Sequence, residues 1–404
     1  MRSIRFAAVF VGLWVLAFAT PAAPGGKECS SRPRQPIGFV DVPGRPFGVV
    51  PTPDGCWLFV AFNDAATPPA HGLAVLRWGA GELLMSRVVP LAIRPTGMTM
   101  THDGEMLAVA AGNQVTLLDV DRVLSGDANP VLGSIGDSLS RSYIYVAVTQ
   151  DGTLLFASDE TTSSITVFDL SAARQGHFGP NAVIGRIPVG QYPVGLALSP
   201  DQRLLFGTSQ VANEPAWPLA CPFAGQDLAR REGSLEVIDV EKSRSDPANA
   251  RMSVAPAGCS PVRVASAPHG DGVWVSARGD DAVLAFDTAR LLSDPATALV
   301  GRVPVGRSPV GIAVFAQGRR VVVANSNRFA PDPLQPQTLT VIDATRPTAG
   351  SDAHLATLPA GAFPREMAVA PDRRTLFVTN YLSGQVEVVD LIPYFGQGFQ
   401  SPDR

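Results

Sequence analysis

The sequence predicts an all-β fold: a seven-bladed β-propeller with four-stranded blades, its N-terminal strand closing the last blade. Three observations predict it. Seven imperfect copies of one strand pattern run through the chain, a tight-turn signal recurs in each copy, and a solitary strand before the first copy matches a strand missing from the last. A period of about 40 to 50 residues with four short strands identifies blades stacked around an axis before any chemistry is considered.

The last copy is the clearest: residues 363–373, then Thr375–Asn380, then Gln385–Asp390. Turn signals fall between first and second strands at Pro53-Asp54-Gly55, Asp103-Gly104, Asp151-Gly152, Pro200-Asp201-Gln202, Gly270-Asp271-Gly272, Gln317-Gly318 and Pro371-Asp372-Arg373. Asp-Gly between apolar runs signals a hairpin because both residues tolerate positive backbone angles. An aspartate closes the third strand of six copies, at Asp119, Asp169, Asp239, Asp287, Asp343 and Asp390, with Arg77 in its place in the first. The periodic position of these aspartates predicts turn or cap roles rather than catalysis. Fourth strands follow within residues 88–91, 131–135, 183–187, 252–255, 300–304 and 354–358. Runs such as Leu204-Leu205-Phe206 and Val321-Val322-Val323 are apolar on both faces, as expected of sheets covered on both sides. The last copy stops after its third strand, and residues 38–42 supply the missing fourth, which removes an exposed sheet edge.

The chain divides into a signal peptide at 1–19, a lead-in at 20–37, the propeller at 38–393 and a tail at 394–404. Arg2 and Arg5 precede the apolar run 6–18, and Ala17-Phe18-Ala19 offers small residues for cleavage, so a periplasmic or secreted protein is expected. That run is too short for a membrane span. Losing Arg2 and Arg5 makes the formal net charge of −4 more negative, which disfavours nucleic acid as a partner. Four cysteines in an exported chain favour disulfides, with three pairings possible in principle. Blade topology chooses Cys29 with Cys56 on one face and Cys221 with Cys259 on the other. No cofactor, metal site or catalytic set is predicted: there is no Cys-x-x-Cys, no Gly-x-Ser-x-Gly, and the five histidines fall in turns and loops of different blades.

Several of these stretches resemble a known family. Leu376-Phe377-Val378-Thr379-Asn380-Tyr381, the Ser199-Pro200-Asp201 turn, the Val237-Ile238-Asp239 strand and the Ile187-Pro188-Val189-Gly190 corner are similar to YVTN-repeat, YncE-like and lactonase-like seven-bladed propellers. The resemblance implies binding proteins, surface-layer modules or sugar lactonases, since shared fold does not fix activity. A lactonase-like hydrolase acting on a sugar lactone is the alternative it implies, with Arg365 and Glu366 in its pocket.

Candidate binding residues lie where corners between blades and loops between second and third strands converge on the central opening. The corners carry Arg45, Arg94, Arg141, Arg263, Arg307 and Arg365, and the loops add Asn325 and Asn380, with Asn63, Gln210 and Arg278 beside them. Guanidinium groups and amides in a ring suit a carboxylate, phosphate or sulfated ligand. Arg263, Arg365 and Glu366 stand out because they replace apolar residues or glycine at equivalent places in other blades. Arginine supplies nearly all of the positive charge, with Lys27 and Lys242 the only lysines, and nearby acids offer structural pairing instead. An insertion at 210–232 brings Trp217 as a possible aromatic contact, and a proline-rich one spans 325–337. The expected function is an exported, noncatalytic propeller, a monomer, binding a protein, glycan or small anionic ligand.

Overall fold

The chain is described here by a computed structural model covering residues 33, 35–63, 71–79, 81–223, 226–329, 332 and 334–396. Seven four-stranded antiparallel sheets form a ring, so the fold is a seven-bladed β-propeller. The first strands of the blades touch one another and line the axis: Arg45–Pro51, Pro95–Met100, Tyr143–Val148, Gln191–Leu198, Pro261–Ser266, Pro309–Phe315 and Pro364–Val369. Closure follows the sequence pattern with a one-residue offset. The strand Ile37–Asp41 pairs antiparallel with Gln385–Asp390, Ile37 opposite Val389 and Asp41 opposite Gln385. Asp390 N–H donating to Pro36 O and Val42 N–H donating to Gly384 O, both at 2.9 Å, fix that register at its two ends.

Between the blades the core is apolar and densely filled. Phe59, Phe156, Phe206, Phe286 and Phe377 come from second or third strands and are fully buried. The strand-ending aspartates act as caps. Asp119, Asp169 and Asp287 accept from the backbone N–H three residues on and start short helices; Asp239, Asp343 and Asp390 accept at 2.9, 3.2 and 3.0 Å from Lys242, Thr345 and Ile392 N–H.

A steric rule operates on the axis. Inner strands of neighbouring blades approach so closely that a Cβ on Gly48, Gly97, Gly195 or Gly311 would lie 2.6–2.7 Å from a carbonyl oxygen of the next inner strand. Hydroxyl groups stitch the same layer. Ser158, Thr208, Ser276 and Thr379 donate to the carbonyls of Val194, Val262, Val310 and Phe47 in the next blade, at 2.9, 3.1, 2.7 and 2.9 Å. Gly195→Ala therefore forces backbone against backbone, and we expect a loss of about 2 kcal/mol of unfolding free energy by chemical denaturation.

Glu236 and Glu387 are carboxylic acids buried inside their own blades. They occupy equivalent places in the third strands of blades four and seven, exposed by 1% and 0%. Glu236 Oε1 accepts from Gly190 N–H, Ser209 and Ser234, and Glu387 Oε2 from Asn380, while the second oxygen of each has no partner. Burial pushes both up to about 7. The folded state then holds protons that the unfolded chain has released, so stability is full below about 4.5 and falls as pH rises through 7. Unfolding of the Glu236→Gln/Glu387→Gln protein should lose this slope, worth about 3 kcal/mol per site at neutral pH.

Candidate ligand-binding site

The inner strands position the site. The backbone N–H of Gly195 donates to Thr208 Oγ1 at 3.0 Å, and those of Tyr145, Arg263 and Glu366 donate to Ser158, Ser276 and Thr379 at 3.1, 3.0 and 3.1 Å. Tyr145, Arg263 and Glu366, in blades three, five and seven, therefore stand in the layer where the other four blades carry glycine. The room left by the missing Cβ atoms is filled by these three side chains. Arg263 Nε donates to Glu366 Oε2 at 3.0 Å, and Nη2 lies 2.8 Å from the same oxygen but off the hydrogen-bond axis. The guanidinium carbon sits 4.8 Å from the centre of the Tyr145 ring, whose hydroxyl reaches Glu366 Oε1 at 3.5 Å. Arg263 and Glu366 are only 3% and 5% exposed, so this layer is the floor of the opening. Burial pulls the Arg263 guanidinium down, but the Glu366 carboxylate overcomes it and holds it above its ordinary range. Burial, and then Glu366, push the Tyr145 phenol up.

Above this floor is a cavity of about 320 Å³. Ile144, Val194, Val262 and Val310 form an apolar collar, and Phe363 and Phe329 extend it outward. Arg365 occupies the collar position that blades one, three, four, five and six fill with Phe47, Ile144, Val194, Val262 and Val310 and blade two with Thr96. Its guanidinium carbon lies 3.8 Å from the Phe47 ring centre, with Tyr381 at 5.2 Å and Phe363 at 5.3 Å, and its buried Nε has no hydrogen-bond partner. Arg278 donates to Gln210 Oε1 at 2.6 Å. Exposed Arg328 lies 5.1 Å from Phe329 and 5.4 Å from Phe363. Glu160 completes the lining. The corner residues Tyr192, Ser260, Ser308 and Phe363 enter their inner strands with φ of 55°, 53°, 48° and 54°, a left-handed conformation that turns the chain sharply into the axis.

The electrostatics are unbalanced. Four arginines face two glutamates, and Arg263 takes up Glu366. Among the described residues no carboxylate comes within 4.0 Å of Arg278, Arg328 or Arg365. Desolvation, then Arg328, Arg230 and Arg263, bring Arg278 down to about 9; desolvation, then Arg263 and Arg328, do the same to Arg365. Both stay charged at neutral pH, and the depression reflects first the cost of burying each guanidinium group and then repulsion among the arginines. Burial raises the Glu160 carboxyl against the pull of Arg365, Arg278, Arg263 and Arg328.

The structure distributes the predicted residues unevenly. Arg263, Arg365 and Glu366 meet on the axis. Arg94 is exposed and donates to Asn63 Oδ1 at 2.8 Å and Tyr381 hydroxyl at 3.1 Å, while exposed Arg45 lies 5.8 Å from the Tyr381 ring. Arg141 and Arg307 are exposed and do not line the cavity. Asn325 spends its amide N–H groups on Thr338 and Thr340, and Asn380 donates to Glu387, so both serve their own blades. Trp217 is half-buried in the blade-four insertion, apart from the cavity lining. That insertion forms a short hairpin, Cys221–Phe223 with Gln226–Arg230, held to the next corner by the Cys221–Cys259 disulfide. Cys56 is disulfide-bonded as well, and its predicted partner Cys29 lies outside the described residues, as does the predicted signal peptide. Sequence reasoning missed Tyr145 and Arg328. The repeat itself held the signal for Tyr145, which stands where Gly195 and Gly311 stand.

A larger cleft of about 1080 Å³ lies on the opposite face among hairpin turns. Among its carboxylates, Asp151 pairs with Arg244 at 2.9 Å and Asp201 accepts from Ser199 at 2.6 Å. No group of three or more potential metal ligands occurs among the described residues, and no helix among them is long and apolar enough to cross a membrane.

Fold and site together define a seven-bladed β-propeller with an arginine-rich cavity at its central opening. No family model matches the chain, and no curated protein matches it. Solved structures do. A structure of hydrazine synthase from Kuenenia stuttgartiensis is similar over 87% of this chain and 96% of its own, with TM-score 0.63 and 17% identity. A chain from a crystal structure of the mitotic checkpoint complex is similar over 94% and 98%, with TM-score 0.62 and 14% identity. At such identities the likeness shows the fold alone.

Removing one partner of the floor ion pair strands a charge. Glu366→Leu should lower unfolding free energy by about 3 to 5 kcal/mol, and the Arg263→Met/Glu366→Leu double variant should recover most of that loss, measured by denaturant unfolding.

Proposed function

We propose that this protein is an exported, noncatalytic propeller of the YVTN-repeat, YncE-like kind that binds an anionic group in the cavity at its central opening. The carrying observation is the surplus of guanidinium groups: Arg365, Arg278 and Arg328 converge on one cavity with only Glu160 left to oppose them. Unpaired buried charge is costly, and an incoming carboxylate, phosphate or sulfate relieves the cost while forming charge-assisted hydrogen bonds. The apolar collar adds contact for the body of a ligand, whether a small molecule, a glycan or a protein side chain. The Cys221–Cys259 disulfide is compatible with life outside the cytoplasm.

The lactonase-like alternative needs a general base or a metal in the same cavity. Glu366 is the carboxylate nearest the axis, and Arg263 occupies it, which favours binding over hydrolysis. A thermal-shift titration with phosphate, sulfate and small carboxylates should raise the melting temperature of the native protein and leave that of Arg365→Ala unchanged. Turnover of a sugar lactone that is abolished in Glu366→Gln would overturn the noncatalytic reading.

A further inference from the structure

We propose that the site takes a compact dianion carrying an apolar or planar body, such as an aryl phosphate or an aromatic dicarboxylate; the inference rests on the anion-binding reading and adds the charge and shape of the ligand. The charge follows from the pairing pattern. Arg263 and Glu366 neutralise each other at the floor, leaving Arg278, Arg328 and Arg365 against Glu160, an excess of two positive charges. A monoanion leaves one guanidinium group uncompensated, whereas a dianion balances the cavity. The geometry separates the cationic centres by height: Arg365 lies deep against Phe47, and Arg328 stands exposed at the mouth against Phe329. Both guanidinium groups flank the Phe363 ring, at 5.3 and 5.4 Å, so a ligand meets them either with one doubly charged group lying between them or with an anionic group at each end. The body between them faces the Val194, Val262 and Val310 collar and the Phe363 ring, surfaces that offer no hydrogen bonds to a polyhydroxylated chain. A cavity of about 320 Å³ holds a single ring with its substituents.

The test is calorimetric titration of the purified full-length mature protein with phenyl phosphate, terephthalate and benzoate at one fixed ionic strength and pH 7.5. Either dianion should bind about tenfold or more tighter than benzoate, which shares the ring and carries one charge. Whichever dianion is tighter assigns the phosphate or the dicarboxylate class, and both results support the proposal. Arg328→Gln, at an exposed position where folding is not at stake, should weaken the dianions several-fold and narrow their advantage over benzoate. Benzoate binding within about twofold of both dianions would overturn the charge count and leave anion binding intact. Failure of all three to bind a protein that still melts cooperatively would overturn the anion-binding reading as well.

Discussion

Everything on the axis depends on how closely seven inner strands can approach one another. Four of them pass with a glycine facing the neighbouring carbonyl, where a Cβ would meet oxygen at 2.6–2.7 Å. Hydroxyls of Ser158, Thr208, Ser276 and Thr379 tie that layer together through the next blade's backbone. Because four positions carry no side chain, the remaining three can carry large ones. Tyr145, Arg263 and Glu366 fill the vacated centre and plug it.

The plug decides the electrostatics of the cavity above it. An arginine buried to 3% exposure without a partner would be untenable, and Glu366 supplies the partner. That leaves no carboxylate within 4.0 Å of Arg365, whose closest compensation comes from aromatic faces, Phe47 foremost. Cation–π contact offsets part of the desolvation cost of a guanidinium group and none of its hydrogen-bonding need. The unpartnered Nε of Arg365 is the residue of that need. A site of this kind is built from packing first and charge second.

The fold was legible in the sequence because each blade repeats the same turn and cap chemistry, and Asp119 or Asp287 can be recognised as a cap from spacing alone. The closing strand was legible because a strand was missing elsewhere. Arg263, Arg365 and Glu366 were legible as departures from the repeat. Their mutual arrangement was not, since a contact between blades five and seven spans 103 residues of sequence. Tyr145 could be found only by aligning its strand with the others at Gly195 and Gly311, since that strand enters through Arg141-Ser142-Tyr143 without the proline that starts the others. Arg328 lies in a blade-six insertion with no counterpart in other copies, so no repeat could flag it. Asn325 and Asn380 were attractive as amides near the mouth, but the strand that carries them turns both inward to hydrogen bonds within their own blades.

Anomalous diffraction from crystals soaked in bromide locates uncompensated cationic space without presupposing a ligand. A strong bromide peak is expected on the axis between Arg278, Arg328 and Arg365, with Glu366 still held by Arg263. A cavity empty of bromide, with Arg365 paired to Glu160 or Glu366, would contradict it.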